Sequence, residues 1–134
     1  MTRFFDTNVL VYAYTDDPRQ AVSKALISKT SAHTGIISVQ VLNELTNVLL
    51  RKLKLPWTDI ERALLNVRTI FGPVAAITEA THTKAIKLCR DHGMSVYDAL
   101  IIAAALEASC DELLSEDMQH GRKFDQLTII NPFR

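Results

Sequence analysis

Short apolar runs alternate along the chain with longer segments of helical periodicity. The runs in RFF, GIISV, VAAI, ELLS and LTII have the length and the β-branched or aromatic content of buried strands. Between them, apolar residues recur every three or four positions, which indicates amphipathic helices. Strands that alternate with helices predict an α/β fold with a mainly parallel central sheet.

The first two helices are predicted from breaks in this pattern. NVLVYAY follows the first strand as a short helix, and Asp17-Pro18 interrupts the chain after it. The next helix is expected over residues 19–32, with Ala21, Ala25 and Leu26 on one side.

Later helices begin and end at clearer signals. Ser38 is a candidate cap for a helix that runs to about Leu53, with Pro56 beyond its end. The spacing in Thr58–Glu61 is that of a capping box, which predicts a helix start there. Two further helices are expected over residues 80–92, ended by Gly93, and over residues 95–108, which are strongly apolar.

Composition limits the classes of protein that need consideration. With 134 residues, 48% of them apolar and 22% charged, the chain suits one folded domain over residues 1–134 rather than a disordered segment. Its 15 basic and 15 acidic residues cancel, so nucleic-acid binding would depend on local patches of charge.

The cysteines and the short apolar segments predict a cytoplasmic location. Cys89 and Cys110 have no metal or redox spacing and are expected to be reduced, buried thiols. The apolar start is short and contains Asp6, unlike a signal peptide. The longest apolar run, ALIIAAAL, is far shorter than the roughly 20 residues that span a bilayer.

Four acidic residues stand in otherwise apolar surroundings. Asp6 ends the first strand, Glu44 lies two turns into an apolar helix, Asp98 lies in the first turn of another, and Asp117 follows a strand end. In a parallel sheet these positions all reach the edge formed by the carboxyl ends of the strands, where ligand sites collect.

Carboxylates gathered at one edge would repel one another and lose hydration, which favours their protonated forms unless a cation offsets the charge. Mg²⁺ and Mn²⁺ prefer oxygen ligands of this kind. Such an ion activates water and stabilises charge on a phosphoryl group, so metal-assisted phosphodiester hydrolysis is the chemistry predicted for Asp6, Glu44, Asp98 and Asp117.

Each acid also has a structural alternative. Asp6 is a candidate cap for the short helix that follows it, and Asp98 could complete a capping box that begins at Ser95. Asp117 could stabilise a turn, and Glu44 could pair with a lysine or arginine. These alternatives stay open on the residues alone.

Four segments, FFDTNVLVYAY, SVQVLNEL, SVYDALIIAAAL and LLSEDMQHG, occur in this order and resemble the PIN-domain ribonucleases, particularly the small bacterial VapC-type toxins. The resemblance implies a three-layer α/β/α sandwich and a metal-dependent endoribonuclease that leaves a 5′-phosphate and a 3′-hydroxyl. It assigns the metal ligands to Asp6, Glu44, Asp98 and Asp117. It also implies that Ser115 and Asn8 support the site, and leaves Glu116 without a role.

Partners follow from the same resemblance. Toxins of this kind form homodimers and are held inactive by an antitoxin whose C-terminal segment covers the acidic groove. RNA contacts are expected from two basic pairs, Arg51-Lys52 and Arg122-Lys123.

Two other classes compete with this interpretation. One is a non-catalytic PIN-like module that binds RNA or protein. The other is a phosphatase or phosphoacceptor domain, which also places an aspartate after the first strand. Such a phosphatase would require a second aspartate at position 8, where the chain has Asn8. A phosphoacceptor domain would require acidic residues directly before Asp6, where the chain has Phe4 and Phe5.

Overall fold

A five-stranded sheet forms the centre of the computed structural model, which describes residues 1–134. The strands are β1 Arg3–Phe5, β2 Gly35–Ile36, β3 Glu112–Leu114, β4 Lys123–Phe124 and β5 Leu127–Ile130. Their order is β2-β1-β3-β5-β4, and all neighbouring pairs are parallel except β4 with β5. The predicted α/β fold with a mainly parallel sheet is therefore confirmed.

Six helices enclose the sheet in a three-layer α/β/α sandwich. They are α1 Thr7–Val11, α2 Gln20–Ser28, α3 Val39–Arg51, α4 Trp57–Phe71, α5 Glu79–His92 and α6 Val96–Glu107, and a 3₁₀ turn covers Tyr12–Tyr14. Because β1, β2 and β3 run in the same direction, their carboxyl ends share one edge. The segments that follow them therefore lie beside one another.

The apolar residues of the strands form the core. Phe4, Phe5, Leu113 and Leu114 are at most 2% exposed, and they pack with one face of α3. Removing such side chains from water is the main favourable term in folding, at about 25 cal/mol per Å² of apolar surface.

The strongly apolar helix α6 is also a core element. Ala99 through Ala105 are all buried, so the apolar run of this helix is covered within the chain. Cys110 is buried and Cys89 half-buried, and both are free thiols. No helix combines the length and the apolar character needed to cross a membrane.

Three local expectations were wrong. VAAI makes no strand; Ala75 forms only an isolated parallel bridge to Ser38. In α2, Ala21 and Ala25 are exposed, and Ser23 is buried instead. Helix α4 begins at Trp57 after Pro56, which has no side-chain cap, so the capping-box spacing at Thr58–Glu61 does not mark its start.

Strand β4 was not expected from the sequence. It consists of two residues and pairs antiparallel with β5, Lys123 opposite Thr128 and Phe124 opposite Leu127. A run this short carries too little alternation to distinguish it from a loop.

Candidate metal-binding active site

Asp6 is the most enclosed acid in the chain. It directly follows β1, is 5% exposed, and its backbone N–H donates to the carbonyl of Leu114 in β3 at 3.0 Å. Its carboxylate accepts two hydrogen bonds, from the Thr7 N–H at 2.7 Å and from the Ser115 hydroxyl at 2.7 Å. Asp6 therefore does cap helix α1, but a cap alone does not require its burial between two strand ends.

Glu44 lies on α3, on the side that turns toward the end of β1. Val41 and Leu45 on the same helix are completely buried, which fixes how α3 is rotated against the sheet. The Oε1 atom of Glu44 is buried and has no hydrogen-bond partner. No lysine or arginine pairs with it, so the ion-pair alternative is wrong.

Asp98 and Asp117 lie closer to solvent. Asp98 is half-buried in the first turn of α6, where its backbone N–H donates to the Oγ of the capping residue Ser95 at 3.2 Å. Asp117 follows β3 and is exposed. Both line one cleft, so the acids of α6 and of the loop after β3 face the same space.

The pKa values of all four acids are raised. Burial raises the pKa of Asp6 to about 6 and that of Glu44 to about 7. The charges of Asp117 and Asp98 add to the rise at Asp6, and the charge of Asp6 adds to that at Glu44. The pKa values of Asp98 and Asp117 are also raised, mainly by burial. The structure therefore brings the four predicted acids into one electrostatically coupled group.

The group is not a closed coordination shell. No three acidic, histidine or cysteine side chains lie close enough together to hold an ion as they stand. The donor set nevertheless suits a hard divalent cation, because every candidate ligand is a carboxylate and one buried oxygen of Glu44 has no partner.

Ser115 and Asn8 hold acids in place. Ser115 is completely buried; its hydroxyl donates to Asp6 and accepts from the Asp117 N–H at 3.2 Å. Asn8 donates from Nδ2 to Oδ2 of Asp117 at 2.8 Å. Asn8 thus orients Asp117, although it stands beside Asp6 in the sequence.

Glu116 belongs to a separate ion-pair cluster. Arg19 donates to both of its carboxylate oxygens, at 2.9 and 3.2 Å, and the hydroxyl of Tyr12 also donates to it. Arg19 stacks on the Tyr12 ring at 4.0 Å and pairs with Asp17 at 2.7 Å. These contacts engage the Glu116 carboxylate and anchor the loop between Ser115 and Asp117, while the charge of Glu116 still adds to the raised pKa of Asp117. Nothing in the sequence pattern identified Arg19 or Tyr12.

The two basic pairs differ in position. Arg51 and Lys52 are exposed at the C-terminal end of α3, about 10 Å along the helix beyond Glu44. Arg122 lines the same cleft as Asp98 and Asp117, whereas its neighbour Lys123 is exposed and lies outside that cleft. Only Arg122 is therefore near the acids.

The raised pKa values predict how stability depends on pH. A carboxyl whose pKa is higher in the folded than in the unfolded state binds more protons when folded, so folding becomes more favourable as the pH falls through that pKa. For Asp6 and Glu44, most of this gain in stability is expected as the pH falls from 8 to 5. The free energy of unfolding in EDTA should rise by on the order of 2 kcal/mol over this pH range. Urea titrations at several pH values measure this free energy. In Glu44→Gln it should depend less steeply on pH than in wild type. An equally steep dependence would contradict the raised pKa of Glu44.

Comparison with known proteins bears on the fold and the family of the chain. A search of curated protein sequences gave no significant match. Among solved structures, the sarcin–ricin-loop-cleaving toxin VapC20 of Mycobacterium tuberculosis superposes with a TM-score of 0.73 at 19% identity, covering 87% of this chain and 92% of that one. A toxin–antitoxin complex from Klebsiella pneumoniae gives 0.75 at 18% identity over 98% of both chains.

A third structure is VapBC2 of Rickettsia felis bound to a promoter DNA fragment, with a TM-score of 0.62 at 17% identity, covering 96% of this chain and 97% of that one. At these identities the structures support the fold. The model of the PIN domain family matches residues 3–124, which is most of the chain and includes all four acids. The chain therefore belongs to the PIN-domain family.

Proposed function

We propose that this chain is a metal-dependent endoribonuclease that acts as the toxin of a type II toxin–antitoxin pair in the cytoplasm. The observation that carries the proposal is the buried carboxylate of Asp6, held between two strand ends and electrostatically coupled to Glu44, Asp98 and Asp117. Such an arrangement is unfavourable for folding unless a bound cation offsets the negative charges.

Asp6, Glu44, Asp98 and Asp117 would hold Mg²⁺ or Mn²⁺. When bound, the ion offsets the negative charges, activates water as the nucleophile and stabilises charge that develops on the phosphoryl group. The chain's own residues keep the ligands in position. Ser115 fixes Asp6, and Asn8 fixes Asp117, so their carboxylates cannot turn freely into solvent.

No histidine contributes a general base in this proposal. His33 and His82 are exposed, and His120 accepts a hydrogen bond from the Asn131 N–H at 2.9 Å. Hydrolysis by water predicts products with a 5′-phosphate and a 3′-hydroxyl. A 2′,3′-cyclic phosphate would instead point to attack by the ribose hydroxyl.

A protein antitoxin is the proposed partner. Support comes from the structural neighbours, one of which is a toxin–antitoxin complex and another a VapBC pair. A homodimer is proposed from the family resemblance. In either assembly the buried residues Ala99 through Ala105 of α6 cannot supply the interface. Exposed apolar residues such as Val39 and Tyr97, in the first turns of α3 and α6, are the better candidates.

The cleavage assay compares Asp98→Asn with Asp59→Asn. Asp98 belongs to the acidic group, whereas Asp59 lies on α4 and makes only a 3.8 Å ion pair with Arg62. Wild type and Asp59→Asn should cleave single-stranded and structured RNA in Mg²⁺ or Mn²⁺ and stop in EDTA. Asp98→Asn should cleave at least about 100-fold more slowly, because even the partners that orient metal ligands contribute 10–100-fold.

Two controls make the comparison decisive. Circular dichroism must show that Asp98→Asn is folded, and sequencing of the product ends must find a 5′-phosphate. Equal cleavage by Asp98→Asn and wild type, or cleavage that survives EDTA, would reject the metal site. RNA binding without any cleavage would favour the non-catalytic PIN-like module.

A further inference from the structure

A cleft of about 170 Å³ opens beside Asp98 and Asp117. Its apolar lining includes Met94, Met118 and Phe124. Met94 and Met118 are half-buried, so their side chains are accessible from the cleft. Methionine is flexible and polarisable and packs well against aromatic rings. The cleft therefore offers a soft apolar wall immediately next to the acidic group.

Arg122 supplies the one cationic side chain of this cleft. Its guanidinium lies 4.7 Å above the ring of Phe124, and one nitrogen lies 3.0 Å from Nδ1 of His92. His92 in turn packs edge-on against Phe124, with ring centroids 5.2 Å apart. No carboxylate pairs with Arg122 within 4.0 Å. Arg122 is thus held in place by packing while its charge remains available to a ligand.

We propose that this methionine cleft binds one base of the RNA strand next to the cleaved phosphate, and that Arg122 contacts a phosphate of the same strand. The inference rests on the proposed endoribonuclease function. A single-stranded RNA alternates flat apolar rings with anionic phosphates. An apolar wall beside an unpaired guanidinium matches that alternation.

Other groups at the cleft agree with a base as the occupant. Gln119 is exposed at the rim, and its amide can both donate to and accept from a base edge. The cavity, lined by Asp98, Asp117 and Arg122 among others, has room for a single flat ring. A neutral base entering there avoids the repulsion that an acidic side chain would meet.

Abasic substitution tests the base contact. An oligonucleotide with one mapped cleavage site is prepared with each nucleotide near that site replaced in turn by an abasic one. In the wild-type protein, one position should lose up to about tenfold in kcat/KM, as expected when a base ring loses its contacts with the methionine side chains. In a Met94→Ala/Met118→Ala variant, and separately in Gln119→Ala, that position should lose clearly less, because the contact is already weakened.

Salt dependence tests Arg122. Lys123→Gln is the matched control, since it removes the same charge from the adjacent residue, which lies outside the cleft. Arg122→Gln should reduce the slope of log binding constant against log salt by about 0.7, the value for one phosphate contact on a single strand. Lys123→Gln should leave the slope unchanged.

The outcomes separate this inference from the function on which it rests. If wild type cleaves RNA but abasic losses are the same in all proteins, and Arg122→Gln behaves like Lys123→Gln, the cleft does not bind RNA and only this inference fails. If no RNA is cleaved at all, the proposed function is wrong, and this inference is wrong with it. If the cleft variants cleave normally but lose affinity for a peptide partner, the cleft is a protein-docking site and the proposal is overturned.

Discussion

Asp6→Asn should make the metal-free protein more stable and remove its activity at the same time. The folded protein raises the pKa of Asp6 to about 6 from an ordinary value of 3.8, mainly through burial. Keeping the charge at pH 7.5 therefore costs about 3 kcal/mol of folding free energy. Asparagine removes the charge and retains a carbonyl oxygen for the Thr7 N–H.

The expected gain is smaller than that cost, because the hydrogen bond with Ser115 must change direction. In Asp6→Asn the amide would donate to the Ser115 hydroxyl, which also accepts from the Asp117 N–H. Allowing about 1 kcal/mol for a weaker hydrogen bond leaves a gain of about 2 kcal/mol. Urea unfolding at pH 7.5 in EDTA measures it, and Asp59→Asn should stay within about 0.5 kcal/mol of wild type.

Three further measurements check the cause. At pH 5 the advantage of Asp6→Asn should shrink, because wild-type Asp6 is then largely protonated in the folded state. Millimolar Mg²⁺ or Mn²⁺ should stabilise wild type through binding to the folded protein and have a much smaller effect on the variant. RNA cleavage should fall by at least about 100-fold. A variant less stable than wild type would mean that Asp6 serves chiefly as the cap of α1.

Gly72→Ala should be far more destabilising than Gly93→Ala. Gly72 ends α4 with φ 66° and ψ −143°, a backbone conformation close to a region that essentially only glycine occupies. A Cβ there would lie 2.7 Å from the Cβ of Ala32. Backbone strain and overpacking together predict a loss of about 3 kcal/mol.

Gly93 provides the matched control. It ends α5 in the left-handed helical conformation, with φ 65° and ψ 31°, and a Cβ there would meet nothing within 4 Å. Its replacement should cost about 1 kcal/mol, which is strain alone. Thermal or urea unfolding compares the two variants, and equal losses would show that the contact with Ala32 relaxes without cost.

Gly72 also matters for the site. The segment after it brings Ala75 beside Ser38, where Val39 N–H donates to the Ala75 carbonyl at 3.0 Å and Ala75 N–H to the Ile37 carbonyl at 2.9 Å. These bonds hold the start of α3, which carries Glu44. A Gly72→Ala protein that remains folded should therefore also cleave RNA less efficiently than Gly93→Ala.

Patterns of several residues predicted the helices and the larger strands well. The burial of Val41, Leu45 and Leu49 follows directly from their helical spacing, and Gly93 ends α5 as expected. The predictions failed where a segment is short or where its contacts come from distant residues. VAAI has the composition of a strand but pairs through a single bridge, and β4 is too short to produce a pattern.

The sequence by itself determined the class of fold and identified four acids whose apolar surroundings require an explanation. It did so because periodicity and strand–helix alternation are local properties. An acidic residue among apolar neighbours can likewise be recognised from the sequence alone. Only the tertiary structure decided which acid each supporting residue contacts. Ser115 contacts Asp6 across 109 positions, and Asn8 contacts Asp117 across 109 positions.

The same holds for the charges around the site. Arg19 neutralises Glu116 across 97 positions, and Arg122 lies beside the acids while the adjacent Lys123 does not. Such pairings depend on how parallel strands align their carboxyl ends and on which way each side chain then faces. Local propensity contains neither the strand alignment nor the side-chain directions. The acids and the residues that support them could therefore be named from the sequence, whereas the contacts between them required the fold.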